Sequence, residues 1–363
     1  MMANTSPTIY DVASLANVSV ATISRHINGS ARLDPSTQER VEKAITELGY
    51  VPNSTAQRLS SGKSMIIGLA FLKDFVLDNV PGIERESMLF IDTVLRGIEM
   101  ESSERNYSVL ISFVEDEFDQ RLDALQRMVG NVDGIIALES VFTPDVVSRL
   151  EQRLPLVVLA GDASSDHADT VHSANDAAMR TIAEHLIAVH GVKRAGFVSG
   201  RLRSSDARAR RDAFLTSFRE LGGTVDEGDI LDGDWSVSSG ARAMLDRLER
   251  GDALPEVMVC ANDQMAYGAM GVARSHGIRV PEDLKFTGFD DTPISQLMSP
   301  PLTTVRQDTF GMGREAVRLL VDAMANPQRA KKLVAQPTHF VPRESCGCGE
   351  GKGMNVLREM VTL

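Results

Sequence analysis

Continuous apolar runs that alternate with amphipathic helical segments limit the fold of this chain more than any other feature. The runs are MIIGLAF, YSVLISF, VDGIIAL and LPLVVLA, then RAGFVSG, VMVCAN and LKFTGFDD, and helical patterns lie between them. Strands that are apolar on both faces and separated by helices are typical of parallel sheets covered by helices on both sides. The sequence therefore predicts an α/β fold with two such halves and a crossover near residues 160–175. A ligand is then expected between the halves, at the carboxyl ends of the strands.

The first fifty residues follow a different pattern, three short helices joined by turns. Thr8, with an acidic residue three positions later, predicts a capping box at the start of the first helix. Asn17 tolerates the positive φ that a tight turn requires, and Ser19 is expected to cap the second helix. A third helix is predicted between Asp34, its N-cap, and Gly49. Two short helices joined in this way form a helix-turn-helix, whose second helix lies in the DNA major groove.

The second of these helices carries slim side chains that allow its backbone to approach base edges. A thymine methyl is the expected contact of Val20 or Ala21, while Arg25 is expected to bind guanine or phosphate. The predicted DNA contacts in this domain are Thr8, Ser19, Val20, Ala21, Thr22, Ser24, Arg25 and Asn28. A three-helix unit need not bind DNA, so the pattern alone leaves a purely structural role open.

The charge balance gives no independent sign of a polyanionic partner. The chain carries a formal net charge of -12 at pH 7, although residues 1–63 hold six Lys or Arg against five Asp or Glu. DNA binding must therefore depend on where a few basic groups lie, and on their duplication in a dimer.

Several other function classes find no support. HExxH, GxSxG and GxGxxG motifs are absent and the seven histidines are scattered, so neither an enzyme nor a cofactor is predicted. Without a leader-like segment or an apolar run of spanning length, the sequence predicts a cytoplasmic protein with no membrane partner. Cys346 and Cys348 supply only half of a metal site, and the glycines around them predict a flexible tail; no metal is predicted.

The N-terminal sequence resembles the LacI–GalR family of bacterial transcription regulators. The resemblance is carried by TIYDVASLANVSVATISRHINGS…ERVEKAITELGYVPNSTAQRLSSGK. Further along, ANDQMAYGAM, TGFDDT, PLTTVRQD and RES stand where that family has them, so the resemblance extends to about residue 345. It implies a helix-turn-helix domain at 1–52, a hinge helix at 53–63 and a two-lobed periplasmic-binding-protein-like module at 64–345. This module would bind the effector and dimerise, and residues 346–363 are left as the flexible tail.

The resemblance also assigns DNA contacts. The family residues that read bases correspond to Val20 and Ala21, and its conserved arginine corresponds to Arg25. In the family the hinge helix folds in the minor groove and wedges a leucine between base pairs, which corresponds to Leu59. The hinge residues expected beside this wedge are Asn53, Ala56 and Gln57. Asn17 stands where the family usually has glycine, a change that the turn tolerates.

Polar side chains that follow the later strands are the candidate ligand contacts. On the residues alone, the Asn and Asp after the strand VMVC, and Asp290 after another, either line a cleft or simply cap the next helix. The resemblance assigns Asn262, Asp290 and Arg210 to the ligand, and Trp235 to stacking on it. Ala160 stands where many members have an aspartate, and residues 73–92 replace a short family loop, so the identity of the ligand is not inherited.

Together these features predict a ligand-responsive transcription regulator, a repressor that binds a palindromic operator as a homodimer. A sugar in the cleft between the lobes is the favoured effector, and a purine or phosphorylated metabolite is the alternative. An α/β sugar-binding protein or an enzyme without a DNA role is the least favoured hypothesis.

Overall fold

The computed structural model describes residues 7–27, 33–50, 63–73, 88–161 and 167–349 of the chain. The chain divides into two compact units, Met1–Met65 and Ile66–Leu363, and each is described here by itself. The predicted hinge helix lies outside the described residues, apart from Lys63 at its end.

The N-terminal unit contains three helices around a small apolar core. They are α1 (Ile9–Ala16), α2 (Val20–Ile27) and α3 (Pro35–Leu48). Each helix contributes buried side chains, and the core consists of Val12, Ala13, Ala16, Ile23, Val41, Ala44 and Tyr50. This packing holds α2 against α1 and α3 by one side only, so its opposite side faces solvent.

The predicted capping signals of this unit are confirmed. The backbone N–H of Thr8 donates to Asp11 Oδ2 at 2.7 Å, which closes the capping box of α1. Asn17 takes the left-handed conformation, with φ 52°, in the turn between α1 and α2. Ser19 Oγ accepts from the N–H of Thr22 at 3.1 Å at the start of α2. These local signals fix the helix boundaries because each satisfies backbone groups that the helix end leaves unpaired.

The second unit begins with a parallel sheet and its covering helices. Its elements are β1 (Ile66–Leu72), α4 (Met88–Glu104), β2 (Ser108–Val114), α5 (Phe118–Val129), β3 (Gly134–Leu138), α6 (Pro144–Leu150), β4 (Leu156–Leu159) and β5 (Asp169–Ser173). A second group follows: α7 (Asn175–His190), β6 (Ala195–Ser199), α8 (Ser205–Glu220), β7 (Ile230–Asp232), α9 (Val237–Glu249), β8 (Val257–Cys260), α10 (Asp263–Ser275) and β9 (Lys285–Thr287). The chain then continues through β10 (Thr304–Gln307), α11 (Thr309–Ala325), β11 (Leu333–Gln336) and β12 (Thr338–Val341).

Among the described residues, these strands form two parallel sheets and one short antiparallel pair. The first sheet has the order β11-β5-β4-β3-β1-β2 and, with α4 to α6 and α11, is called the first lobe below. The second sheet has the order β7-β6-β8-β9 and, with α7 to α10, is called the second lobe. Strands β10 and β12 pair antiparallel with each other. The predicted two-lobed parallel α/β architecture is therefore confirmed.

The chain crosses between the lobes three times, whereas the sequence predicted one crossing. The predicted crossing lies between β5 and α7, inside the expected interval of 160–175. Two further crossings follow because α11 and β11 return to the first lobe before β12 leaves it again. Strands β11 and β12 are four residues long and partly exposed, so they lack the continuous apolar run that marked the others.

The boundary predicted for the start of the flexible tail, residue 346, lies too early in the chain. Glu344–Cys346 form a 3-10 turn in which Ser345 and Cys346 are fully buried. Ser345 Oγ accepts from the N–H of Thr303 at 2.8 Å and donates to the carbonyl of Phe286 at 2.7 Å. These bonds fix the turn against β9, so residues up to 349 belong to the folded second lobe. The rest of the predicted tail, from residue 350, lies outside the described residues.

Across the described ranges, no helix combines the length and the apolar character needed to cross a lipid bilayer.

Candidate functional site

A cavity of about 450 Å³ lies between the two lobes, where strands from both sheets end. All four residues predicted to contact a ligand line it: Arg210, Trp235, Asn262 and Asp290. The structure thus brings together side chains that are up to eighty positions apart in the sequence. Their position follows from the parallel sheets, because strands that run in the same direction end at the same edge.

Arg210 is the most firmly held of the four. Its side chain on α8 is buried, and its Nε donates to Asn175 Oδ1 at 2.9 Å while Nη1 donates to the carbonyl of Ala261 at 2.8 Å. The guanidinium lies 3.7 Å from the ring centroid of Phe289, which favours a cation–π interaction. These contacts fix the direction of the charge before any ligand binds.

Asp290 lies next to this arginine, with Oδ1 3.9 Å from Arg210 Nη1. It also accepts a hydrogen bond from the amide of Gln307 on β10. Burial raises the pKa of Asp290 to about 8, while the nearby Arg210 charge opposes the rise. Its backbone has φ 131°, a conformation that non-glycine residues rarely adopt and that is held here by pairing with Val305.

Trp235 and Asn262 form a second joined pair. Asn262 Nδ2 donates to the backbone carbonyl of Trp235 at 2.9 Å, and its Oδ1 accepts from the N–H of Met265 at 2.9 Å. Asn262 therefore caps α10 and also fixes the strained turn at Trp235, whose φ is 82°. One amide hydrogen of Asn262 remains beyond these two bonds, so a ligand would meet it as a hydrogen-bond donor.

Asp263 has a different role from the helix cap that the residues alone suggested. It is fully buried and accepts hydrogen bonds from the N–H of Thr292 at 3.1 Å and from the hydroxyls of Ser295 and Thr304. Since Thr304 starts β10 and Thr292 follows β9, Asp263 ties the crossing strand to the loop after Asp290. It supports the site without lining the cavity.

The first lobe supplies the other wall of the cavity. Leu89, Phe90 and Ile91 of α4 form an apolar part, and Glu139 follows β3. Ala160, at the position of the family aspartate, lines the cavity with φ 53° and offers no polar group. From the replaced loop at 73–92 the structure describes residue 73 and residues 88–92.

Sequence reasoning missed the polar residues that hold the contact residues in place. Asn175 accepts a hydrogen bond from Arg210 and donates one to Asp206 at 2.8 Å. Gln307 donates a hydrogen bond to Asp290. The signals were present in the sequence, since Asn175 opens α7 shortly after a strand and Gln307 is the second-last residue of PLTTVRQD. Gln307 could not be assigned to the cavity without the additional crossings of the chain, and Asn175 contacts Arg210 without lining the cavity.

The N-terminal unit presents a separate surface on α2. Ala21 and Arg25 are exposed one helical turn apart, and Arg25 Nε donates to the carbonyl of Ala21 at 3.2 Å. Of the other predicted DNA contacts, Thr8 and Ser19 are exposed, and Val20, Thr22 and Ser24 are half-buried. Tyr10 on α1 is 71% exposed. The remaining predicted DNA contacts lie outside the described residues: Asn28, Asn53, Ala56, Gln57 and Leu59.

Comparison with known proteins identifies both units. Residues 8–53 match the model described as bacterial regulatory proteins, lacI family, and residues 183–346 match a periplasmic binding protein-like domain. Catabolite control protein A of Priestia megaterium is 33% identical over 93% of this chain and 98% of its own length. The chain belongs to the LacI family of bacterial transcription regulators. Its members are regulators rather than enzymes, so this LacI-family protein is a transcription regulator.

Solved structures agree with this assignment over almost the whole chain. The lac repressor dimer bound to operator and the anti-inducer ONPF has a TM-score of 0.78 and 27% identity, and the match covers 94% of this chain and 99% of that one. The complex of the transcriptional regulator CelR with cellobiose has a TM-score of 0.68 and 28% identity, over 93% and 99%. The LacI-family fold is thus present from the helix-turn-helix to the second lobe.

Proposed function

We propose that this protein is a cytoplasmic repressor whose operator binding is controlled by a sugar in the cavity between the lobes. The observation that carries the proposal is the set of groups fixed around that cavity. Nη1 of Arg210 and Oδ1 of Asp290 are held 3.9 Å apart, and the guanidinium of Arg210 lies 5.5 Å from the ring centroid of Trp235. Fixed polar groups suit sugar hydroxyls, and an aromatic face suits the apolar side of a sugar ring.

The size of the cavity supports this assignment. A volume of about 450 Å³ lies within the range of small-molecule sites and accommodates a mono- or disaccharide. The similar CelR structure is a complex with cellobiose, which gives a sugar precedent on this fold at 28% identity.

A phosphorylated effector is a further candidate, because Arg121, Arg201 and Arg203 line the cavity beside Arg210. Arg208 and Arg211, which lie close to Arg210 in the sequence, do not line the cavity. Arg208 donates to the carbonyl of Leu202 at 2.8 Å, and Arg211 pairs with Asp212 at 2.8 Å. A purine remains the second candidate, because Trp235 would stack on a base as well as on a sugar.

The DNA side of the proposal follows the predicted domains. Residues 1–52 bind the operator through the exposed side of α2, residues 53–63 form the hinge helix, and residues 64–349 bind the effector and dimerise. In this proposal Ala21 and Arg25 lie in the major groove, since both are exposed on α2 one turn apart.

An exposed apolar strand supports the homodimer. Strand β2 is the edge of the first sheet, and Leu110, Ile111 and Phe113 on it are each about 40% exposed. An exposed apolar edge strand promotes aggregation unless another surface covers it. The lac repressor neighbour is a dimer bound to operator, and a two-fold dimer of this chain would match a palindromic site.

A thermal-shift screen against mono- and disaccharides, sugar phosphates, nucleosides and purines tests the effector class. A ligand at about 100 times its dissociation constant adds roughly 2.7 kcal/mol and raises the melting temperature by a few degrees. Stabilisation by a sugar supports the proposal. Stabilisation by a purine or nucleoside with no sugar effective would overturn the sugar assignment and leave the regulator intact.

A further inference from the structure

Four potential metal ligands converge in the second lobe, and none of them lines the effector cavity. His185 and His190 lie on α7, and Cys346 and Cys348 come from the turn after β12. One ring nitrogen of each histidine and the two Sγ atoms all lie within 4.8 Å of one another. The two histidines supply the half of the site that the sequence analysis could not find.

Four of the six distances between these atoms lie near the edge lengths of a tetrahedral site. Nε2 of His185 lies 3.5 Å from Cys346 Sγ and 3.4 Å from Cys348 Sγ. Nε2 of His190 lies 3.4 Å from Cys348 Sγ and 3.1 Å from Nε2 of His185. With zinc bonds of about 2.0 Å to nitrogen and 2.3 Å to sulfur, tetrahedral geometry separates neighbouring ligand atoms by about 3.3–3.8 Å.

The backbone at each ligand pair supports this convergence. Gly347, between the two cysteines, has φ 96°, which turns the chain so that both thiols face α7. His190 is the last residue of α7, followed by Gly191 in the left-handed conformation. The His-x4-His spacing is one that zinc sites use, whereas Cys-x-Cys is tighter than the usual finger spacing.

The surroundings favour a closed structural site. Cys346 is fully buried, and the ring of Phe340 on β12 lies 4.7 Å from the ring of His185 between centroids. Two thiolates would balance the two charges of Zn²⁺, so the bound group would carry no net charge into this apolar surrounding. A tetrahedral set of two sulfurs and two nitrogens is typical of zinc.

We propose that His185, His190, Cys346 and Cys348 bind one Zn²⁺ ion that fastens the C-terminal segment of the second lobe to α7. Binding displaces two thiol protons to solvent and involves no change of oxidation state. The segment is already held on its other side, since Arg343 donates to Asp291 and to the carbonyl of Leu302 at 2.8 Å. Zinc adds a bond between this segment and the helix whose first residue, Asn175, holds Arg210.

The test measures metal in the full-length protein, purified under reducing conditions and dialysed after loading with Zn²⁺ alone. We expect one zinc per chain by elemental analysis, and at least a tenfold loss of bound zinc in Cys348→Ser and in His190→Asn. The matched controls are Cys260→Ala and His276→Asn, which remove a cysteine and a histidine outside the cluster and should keep one zinc per chain. Circular dichroism on each variant confirms that the second lobe is folded.

Co²⁺ in place of zinc reports the geometry directly. The proposal predicts the absorption of tetrahedral cobalt with sulfur-to-cobalt charge transfer, lost in the cysteine variant. In the wild-type protein, zinc should also slow alkylation of two of the three cysteines, Cys346 and Cys348, a readout that needs no variant. Zinc content unaffected by the substitutions, no cobalt spectrum, or a Cys346–Cys348 disulfide that persists in reductant would overturn the proposal.

Discussion

Glu139 of the first lobe accepts two hydrogen bonds from Ser205 of the second, one from its N–H at 2.8 Å and one from its Oγ at 2.9 Å. Ser205 is the first residue of α8, so the carboxylate lies at the positive end of a helix. The same helix carries Arg210 five residues later. The contact between the lobes and the position of Arg210, a predicted ligand contact, are therefore coupled through α8.

Glu139→Ala should weaken effector binding although Glu139 is not one of the predicted ligand contacts. The substitution removes both bonds to Ser205, each worth about 1.5–3 kcal/mol when one partner is charged, so the dissociation constant should rise at least tenfold. Calorimetric titration with the effector found by the thermal screen measures this. Glu117→Ala, at the start of α5, is the control, and equal affinity in both variants would contradict the coupling.

Effector affinity should rise with pH up to about 8. Burial raises the pKa of Asp290 to about 8, so the carboxyl is largely protonated at pH 6. A native pKa above the unfolded value stabilises the fold at low pH. The contribution of Asp290 to the stability of the fold is therefore lost as the pH rises through about 8. A ligand hydroxyl that donates to Asp290 favours the ionised form, so binding releases a proton below that pH.

The measurement is calorimetry at pH 6, 7 and 8 in buffers of different ionisation enthalpy. Asp290→Asn should bind more weakly and should lose both the pH slope and the proton release. Affinity that falls as the pH rises would show that the ligand meets Asp290 as a proton donor instead.

Glu101 should stabilise the first lobe in a pH-dependent way. Burial opposes ionisation, but hydrogen bonds from Arg318, Arg314 and Arg105 outweigh it and lower the pKa of Glu101 to about 2. A lowered native pKa gives stability that is complete above the unfolded value of about 4.5 and is lost as the pH falls towards 2.

Glu101→Gln should therefore lower the melting temperature by several degrees at pH 7, for a loss of about 2 kcal/mol, and by less at pH 3. Glu104→Gln is the matched control, since Glu104 is half-exposed and pairs with the same Arg314. An exposed pair of this kind contributes little. Equal effects of the two substitutions would show that the burial of Glu101 with its arginine partners does not contribute to stability.

Leu59→Ala should abolish specific operator binding and leave weak, salt-sensitive DNA binding. The resemblance places this leucine as the wedge that unstacks a base step and bends the duplex. Binding to an operator selected from a random DNA pool, compared with a scrambled duplex, measures the loss. Arg58→Ala in the same segment is the control for loss of charge alone, and unchanged specificity in Leu59→Ala would exclude the wedge.

The sequence predicted best what local chemistry decides. The caps at Thr8, Ser19 and Asp34 were identified because each satisfies backbone groups within three residues. The long apolar strands were identified because both of their faces are buried. The family resemblance, rather than spacing, gathered Arg210 and Asp290 into one site.

What the sequence could not predict depends on contacts between distant segments. The return of α11 to the first lobe depends on close helix packing, where a Cβ atom on Gly97 would overlap the carbonyl of Phe310. The Glu139–Ser205 contact and the meeting of His185 with Cys346 each join residues far apart in the chain. Arg208 and Arg211 lie within two residues of Arg210 in the sequence, yet neither lines the cavity.

The most direct test of the account is operator affinity with and without the sugar that stabilises the protein. Fluorescence anisotropy should show a change of at least fivefold for the wild-type protein, in the range of typical allosteric coupling. Asp290→Ala should bind the operator as the wild type does but show no response to the sugar, while Asp283→Ala should respond normally. A sugar that binds in the cavity yet leaves operator affinity unchanged, or an Asp290→Ala protein that still responds, would contradict the account.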